Sequence, residues 1–576
     1  MLSNTFSKGL AALAILVGFA SGQTFNGRIT GTITDAAGRL VPGATVTAKQ
    51  VDTNVDKRTV TTGSGSYDIP LLLPGAYEIR VEAPGLQTQL RRDVRLEVNQ
   101  TVTLDFNLRV SDVTQVVDVT ADVPLLQTES SGLGTTLETR IVQDFPLPER
   151  DVMGLLRAIP GVITQNGVGG ARGSRNVFDS AFSIAGGRNS SNEVLLDGAP
   201  NTIGDFNGVV IVPPQDAVLE FRVETSSYSA EFGRSGGGVV NIVTKAGTNQ
   251  YHGTAYYYHQ NDAFNANSFT NNRFGIIKPV LRRHLYGYTF GGPVWIPKLY
   301  QGKNKTFFFS SFEGRREANP QRFLTSVPTD LERMGDFSKT VTIIGGVPTL
   351  VKIYDPATSK IVNGVRTRDL FEGNMIPKGR INPIAAKVLQ QYPEPNSPGS
   401  SVTGRLNYNY SASKTYSRDL FTNRVDQYFG DKHRLFGRFT SEENLDKSPA
   451  TIVQFISPLT LNDTFKNFGI DDTYQISTSL SNVFRYTYAR FHAKQIPIGA
   501  LGFNPTDLGL PSYIASNANV LIYPNFSVGG GFPNIGGNAY NNQPRDTEGV
   551  QEQLLYIRGK HTFHFGGEYR LYRFFP

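Results

Sequence analysis

At 576 residues the chain can bury roughly three or four cores, and its 59 glycines, 25 tyrosines and 37 phenylalanines beside one tryptophan suit a β-rich, turn-rich protein better than a helical one. It has no cysteine, which excludes disulfides, thiolate metal sites, iron–sulfur clusters and cysteine nucleophiles; its seven histidines all lie from His252 onward, so nothing before them holds a histidine-ligated zinc or a Ser-His-Asp triad by itself. The net charge of +7 is dispersed, with no basic run carrying interleaved aromatics, and nucleic acid is not a predicted partner.

The N-terminus carries Lys8, an apolar stretch from Leu10 to Phe19 and the small residues Ala20, Ser21 and Gly22. It is too short for a membrane span and predicts a secretory signal over residues 1–22. No other stretch approaches ~20 consecutive apolar residues, so membrane anchorage after export has to come from strands. Residues 24–109 alternate short strands with turns at Asp35-Ala36-Ala37-Gly38, Pro42-Gly43 and Leu73-Pro74-Gly75, which predicts a small antiparallel β-sandwich. A linker, 110–129, contains Val116, Val117, Asp118, Val119, Thr120 and Ala121. Such an extended, β-branched segment can add as a strand to a partner's sheet edge, and it reads equally as a strand of the adjoining domain.

The next unit, 130–249, opens with a short helix predicted over 152–158 and closed by Ile159-Pro160-Gly161. Gly186-Gly187-Arg188 reads as a tight turn, since no phosphate-cradling glycine pattern precedes a helix there. In the strand that follows, Leu219, Phe221 and Val223 share one face and Glu220, Arg222 and Glu224 the other; 239–245 is a second strand, too apolar to face water on both sides.

Beyond residue 250 about nine or ten aromatic-rich strands are predicted, separated by long polar stretches. Phe484, Tyr486 and Tyr488 oppose Arg485 and Thr487; Phe421, Val425 and Phe429 oppose Thr422, Arg424 and Asp426; Phe563, Phe565, Tyr569 and Leu571 oppose Thr562, His564, Glu568 and Arg570. One apolar and one polar face per strand suits a lipid-facing barrel with a wet interior, and also a soluble sandwich. The aromatic excess and the export signal favour the barrel. Residues 315–419 read as long polar loops, and the irregular spacing of Asp355, Glu372 and Glu394 within them points to solvation rather than metal binding. No catalytic, cofactor or metal site is predicted.

The run P-Q-D-A-V-L-E-F-R-V-E-T-S-S-Y-S-A-E-F-G-R-S-G-G-G-V-V-N-I-V-T-K-A-G-T-N-Q-Y-H-G, from Pro214 to Gly253, resembles the plug-to-barrel junction of TonB-dependent outer-membrane receptors, above all the Oar-like branch. Glu193-Val194-Leu195-Leu196-Asp197-Gly198 is similar to a plug motif of the same family, and Gly31, Asp35, Pro42, Tyr67, Pro74 and Tyr77 follow the pattern of carboxypeptidase-regulatory-like, transthyretin-like domains. The resemblance implies a mainly β chain: the small sandwich, a plug domain over 130–249, and over 250–576 the N-terminal part of an antiparallel transmembrane barrel. Plugged barrels of this kind use ~22 strands, about twice what this stretch offers, so a truncated form is expected. The name of the N-terminal domain promises no peptidase, and sugar binding there is an analogy from fold alone.

Further implications of the resemblance are a TonB box at Val116 to Ala121, TonB with its ExbB/ExbD energising complex as partner, outer-membrane lipid around the barrel, a periplasmic N-terminal domain and an unidentified small ligand. Glu193, Asp197, Glu220, Arg222 and Arg234 are candidate polar contacts between plug and barrel, with plain solvent exposure as the alternative. The expected function is non-enzymatic uptake of a nutrient such as an oligosaccharide, a peptide or a metal chelate. The alternatives are a surface adhesion or organising role and a secreted carbohydrate-binding protein.

Overall fold

The computed structural model describes residues 25–110, 117–118, 133–147, 150–164, 182–189, 191–204, 207–226, 228–273, 275, 277–448, 459–497, 500–536, 540–559 and 561–575. The first unit is built from β1 (Gly27–Asp35), β2 (Thr45–Gln50), β3 (Asp56–Val60), β4 (Ser66–Leu72), β5 (Gly75–Glu82), β6 (Gln89–Leu96), β7 (Thr101–Thr103), β8 (Phe106–Leu108) and β9 (Val117–Asp118). One sheet runs β4-β1-β7 with β8 also on β1, and the other β3-β2-β5-β6-β9. Alternate residues of β1, β2 and β5 point inward, so Ile29, Ile33, Val46, Ile79 and Val81 form the core between the sheets. The sandwich is not wholly antiparallel: β7 and β8 lie parallel to β1, and β9 parallel to β6.

The second unit comprises β10 (Leu133–Leu137), α1 (Thr139–Asp144), a 3₁₀ helix (Val152–Ala158), β11 (Val162–Thr164), β12 (Phe182–Ile184), β13 (Glu193–Leu196), β14 (Ala199–Pro200), β15 (Val218–Ser226) and β16 (Val239–Thr244). Its main sheet is ordered β10-β15-β16-β13-β14. The short helix predicted at 152–158 is 3₁₀, capped by Asp151 accepting from Met153 N, and it buries Val152, Met153, Gly154, Leu155 and Leu156 in succession instead of one helical stripe.

The third unit holds β17 (His252–Asn261), β18 (Arg282–Pro293), a small hairpin of β19 (Trp295–Ile296) and β20 (Tyr300–Gln301), and β21 (Thr306–Thr325). Two loop hairpins follow, β22 (Val341–Ile344) with β23 (Val347–Leu350) and β24 (Lys360–Val362) with β25 (Val365–Thr367). The remaining strands are β26 (Tyr408–Phe429), β27 (His433–Lys447), β28 (Leu459–Gln475), β29 (Leu480–Pro497), β30 (Asn541–Arg558) and β31 (His561–Phe574). A single nine-stranded antiparallel sheet runs β17-β18-β21-β26-β27-β28-β29-β30-β31, in unbroken register. Phe421, Val425 and Phe563 stand exposed on its outer face, whereas Thr422, Arg424 and Asp426 are buried on the inner one. The loop expected over 315–419 is shorter, because β21 and β26 pair as far as Thr325↔Tyr408 and leave 326–407 as the connection. The end of β21 is charged and polar from Arg315 to Asn319 and carries Pro320, which hides the strand, whereas β26 does alternate there, Tyr408, Tyr410 and Tyr416 opposing Asn409, Ser411 and Ser413.

Connections 430–432, 476–479 and that at Gly559 are short and gather at one end of this sheet; the described residues of the long connections 262–281, 326–407 and 498–540 lie at the other. The long loops share a core of their own, with Val327, Val388, Tyr392, Leu508, Tyr523 and Ile535 buried together. The sandwich docks at the short-turn end, where Arg28 Nη2 donates to Thr562 Oγ1 at 2.7 Å.

Candidate functional site

The second unit lies against the inner face of the nine-stranded sheet, and the tip of its β13–β14 hairpin makes the densest polar contact. Asp197 and Gly198 both take positive φ, 51° and 72°, the pair of conformations a two-residue type I′ turn requires. A Cβ at Gly198 would lie 3.0 Å from Arg485 Nη1 and 3.2 Å from Phe25, so the turn is both bent and close-packed.

The turn delivers the Asp197 carboxylate to the wall. Its two oxygens accept from Thr244 N and Thr244 Oγ1, both at 2.8 Å, and pair with the guanidinium groups of Arg438 and Arg424. Asp426 grips Arg424 with both oxygens, at 2.8 and 2.9 Å, and Arg438 donates to Asn467 Oδ1 at 2.7 Å. Beside them Arg485 donates to Gly198 O at 2.9 Å and pairs with Asp471 at 2.6 Å; Asp471 also receives Arg434 at 3.1 Å. Charges this deeply buried are tolerable only because each meets an opposite charge and several hydrogen bonds; deleting one partner of such a pair costs about 3–5 kcal/mol.

Two more predicted residues reach the wall. Glu193 receives Arg570 Nη1 at 2.9 Å, and burial raises its carboxyl against the pull of that arginine. Arg234 donates to Tyr572 OH and lays its guanidinium over the same ring, 4.8 Å from the centroid. Glu220 and Arg222 do not go to the barrel. They lie on the face of β15 turned toward the sandwich, where Glu220 accepts from Val98 N at 2.8 Å and burial pushes its carboxyl up to about 7. Arg222 stays within the second unit, donating to Glu224 Oε1 and Thr136 Oγ1, each at 3.1 Å. Alternation along a strand tells which residues share a face, not which neighbour that face meets.

Of the candidate TonB box, Val117 and Asp118 form β9, paired with Gln89 and Leu90 on the edge of the sandwich; Val116, Val119, Thr120 and Ala121 lie outside the described residues. In the long loops Asp355 is engaged by Arg380 and by Ala357 N, and no cluster of metal-ligating side chains occurs among the described residues.

Sequence reasoning missed two features. The inner wall is not wet throughout: Leu420, Phe465, Ala489, Phe491 and Ala493 are buried in one core with the second unit, and the rings of Phe465 and Phe491 stack at 4.9 Å. The signal was present, since Phe491 has the parity of Arg485 and Thr487 rather than that of Phe484. The other feature is a three-way apolar joint, in which Phe25 and Val98 of the sandwich meet Val243 of the second unit and Phe436 of β27. Nothing in a local pattern foretells contacts among three units.

Residues 243–575 match the outer membrane beta barrel domain family, and residues 28–109 the carboxypeptidase regulatory-like domain family. The chain is 26% identical over 308 residues to the TonB-dependent transporter Oar of Myxococcus xanthus, a match covering 49% of this chain and 26% of the relative. It is 31% identical over 198 residues to the probable TonB-dependent siderophore receptor PirA of Acinetobacter baumannii, covering 30% and 24%. The matches thus span about a quarter of the length of these relatives. Among solved structures, the outer membrane transporter YddB from Escherichia coli aligns at 12% identity with a TM-score of 0.45, covering 76% of this chain and 48% of that one.

Proposed function

The chain belongs to the outer membrane β-barrel family, and from that premise we propose that it serves energy-coupled uptake of a small ligand. Its location is the outer membrane of a Gram-negative bacterium. In this reading the long loops and the plug take the ligand from outside. TonB, energised by ExbB/ExbD, adds the strand at Val116 to Ala121 to its own sheet, and the plug shifts to open a path. The sandwich faces the periplasm, in keeping with its docking on the short turns.

The observation that carries the reading is the seating of the plug: the Asp197 turn is held to the wall by ion pairs with Arg438 and Arg424, contacts that can part and re-form without covalent chemistry. No bond of the ligand is made or broken, so the reading calls for no catalytic residue. The nutrient is an oligosaccharide, a peptide or a metal chelate; because one relative bears a siderophore receptor's name, ferric siderophores come first in the panel. The test is uptake of labelled panel compounds by cells carrying the chain with and without residues 116–121. Loss of uptake at unchanged surface abundance supports the reading, and equal uptake refutes it.

A second reading, surface adhesion, draws on the long-loop hairpins, where Ile343, Ile344, Ile361 and Val365 are exposed. Deleting 341–367 would then abolish cell–cell contact and leave uptake intact. The secreted carbohydrate-binding alternative is set aside by membership in a membrane-barrel family.

A further inference from the structure

At the short-turn end the lumen beside the plug opens into a cavity of about 480 Å³, within the usual size of small-ligand sites. The plug contributes residues 243–248, the barrel parts of β17, β18, β21 and β26, and the sandwich its Leu73-Pro74-Gly75 turn with Gln50, Asp52 and Thr53. The sandwich is therefore the floor, and it is fastened. Asn249 donates through N to Asp52 O at 2.9 Å and through Nδ2 to Thr53 O at 2.5 Å, Asn304 N donates to Asn249 Oδ1 at 2.7 Å, and Asn54 Nδ2 to Asn304 Oδ1 at 3.4 Å.

One lining group is chemically unspent. Lys245 is half-buried, and among the described residues its ammonium makes no hydrogen bond and no ion pair. Burial lowers its affinity for the proton, only partly countered by the more distant Asp216. The other buried cation of the lining, Arg424, is already neutralised by Asp426, while Asp52 and His252 sit at the exposed rim. Phe25, Leu73, Phe307 and Phe309 supply apolar wall to the same cavity. An unpaired ammonium in such surroundings gains most from an anionic oxygen acceptor attached to an apolar body.

We propose that this cavity is a transit site for small carboxylate-bearing ligands with an apolar or aromatic body, Lys245 holding the carboxylate and the sandwich closing the exit. The inference deepens the uptake reading and rests on it for the direction of travel. The test is calorimetric titration of the full chain in detergent with benzoate and with its uncharged isostere benzamide. Benzoate binds about tenfold or more tighter than benzamide; Lys245→Met abolishes the difference, and Lys245→Arg keeps it. Equal binding of the two probes, an unchanged preference in Lys245→Met, or no benzoate binding at millimolar concentration overturns the proposal. Because the chain has no cysteine, Asn54→Cys with Asn304→Cys can tie the floor shut. Oxidation then slows benzoate release about tenfold or more and reductant restores it, whereas unaltered release removes the sandwich from the role. Neither measurement needs TonB or cells, so a null here leaves uptake standing, and loss of TonB dependence in cells leaves the site standing.

Discussion

Asp197→Asn removes one negative charge from the centre of the plug–wall contact and little else: asparagine tolerates the positive φ of 51° and keeps an oxygen for Thr244 N. Arg424 retains Asp426, but Arg438, 2% exposed, keeps only the neutral Asn467 and is left as an uncompensated buried cation. Removing one partner of a buried pair costs about 3–5 kcal/mol, and with the hydrogen bonds to Thr244 partly retained the low end applies, about 3 kcal/mol. At 1.36 kcal/mol per decade this is a loss of roughly 150-fold in the protection of the β13–β14 amides, measurable by hydrogen exchange of the full chain in detergent. Adding Arg438→Met removes the stranded charge, and the double variant recovers about 2 kcal/mol relative to the sum of the single ones. A loss below about threefold for Asp197→Asn, or strict additivity in the cycle, would show that these ion pairs do not seat the plug.

The pH dependence of sandwich docking follows from Glu220 and from Lys57 of β3, which donates to Pro70 O and Leu71 O and faces Asp431 and Arg434 beside the β26–β27 turn. Glu220, raised from 4.5 to about 7 chiefly by burial, favours the docked state below 4.5 and loses that contribution, about 3 kcal/mol, as pH rises through 7; Lys57, lowered from 10.5 to about 7 by burial, gives stability that is full above 10.5 and is lost as pH falls through 7. Exchange protection of the Val98 amide against pH therefore has a minimum near neutrality, and Glu220→Gln flattens its acid limb; an unchanged acid limb contradicts the assignment. Phe491→Ala, on the inner wall, destabilises plug docking by about 3 kcal/mol, while Phe484→Ala, on the outer face and 37% exposed, costs less than about 1 in detergent denaturation. Similar effects of the two would mean that the faces of β29 are misassigned. Gly198→Ala meets both a φ of 72° and a Cβ position 3.0 Å from Arg485, and lowers stability by about 1–2 kcal/mol in thermal melts; no shift would rule out the turn described.

The barrel strands were legible because alternation is a local property: the opposed sets at Phe421/Arg424 and Phe484/Arg485 lie on outer and inner faces as read. The order of units was legible too, through the glycine-punctuated run ending at Gly253. The far end of β21 was not, since Arg315 to Asn319 is a charged, polar run followed by Pro320, and the Tyr/Ser alternation of its partner β26 went unread. Among the site residues, Asp197 was named through the resemblance of Glu193 to Gly198 to a plug motif, and as one of five candidate polar contacts. Its partners Arg424, Arg438 and Arg485 were not, being single members of alternating strands whose importance depends on what faces them. Glu220 was recognised as a polar-face residue, but its neighbour is the Val98 turn of the sandwich, and only the packing of three units decides that.

The polar seats of the plug join residues far apart along the chain: 241 positions separate Asp197 from Arg438, 287 separate Gly198 from Arg485, and 377 separate Glu193 from Arg570. Most wall strands, by contrast, pair with a neighbour across a short turn, as β26 with β27, β28 with β29 and β30 with β31, although β21 meets β26 across 326–407. Closing such large loops before local ladders exist is entropically unfavourable, so the arginine contacts are expected to form after the wall hairpins. Substitutions at Asp197 or Arg438 accordingly leave the refolding rate nearly unchanged and appear as faster unfolding, which makes these seats determinants of lifetime rather than of folding speed.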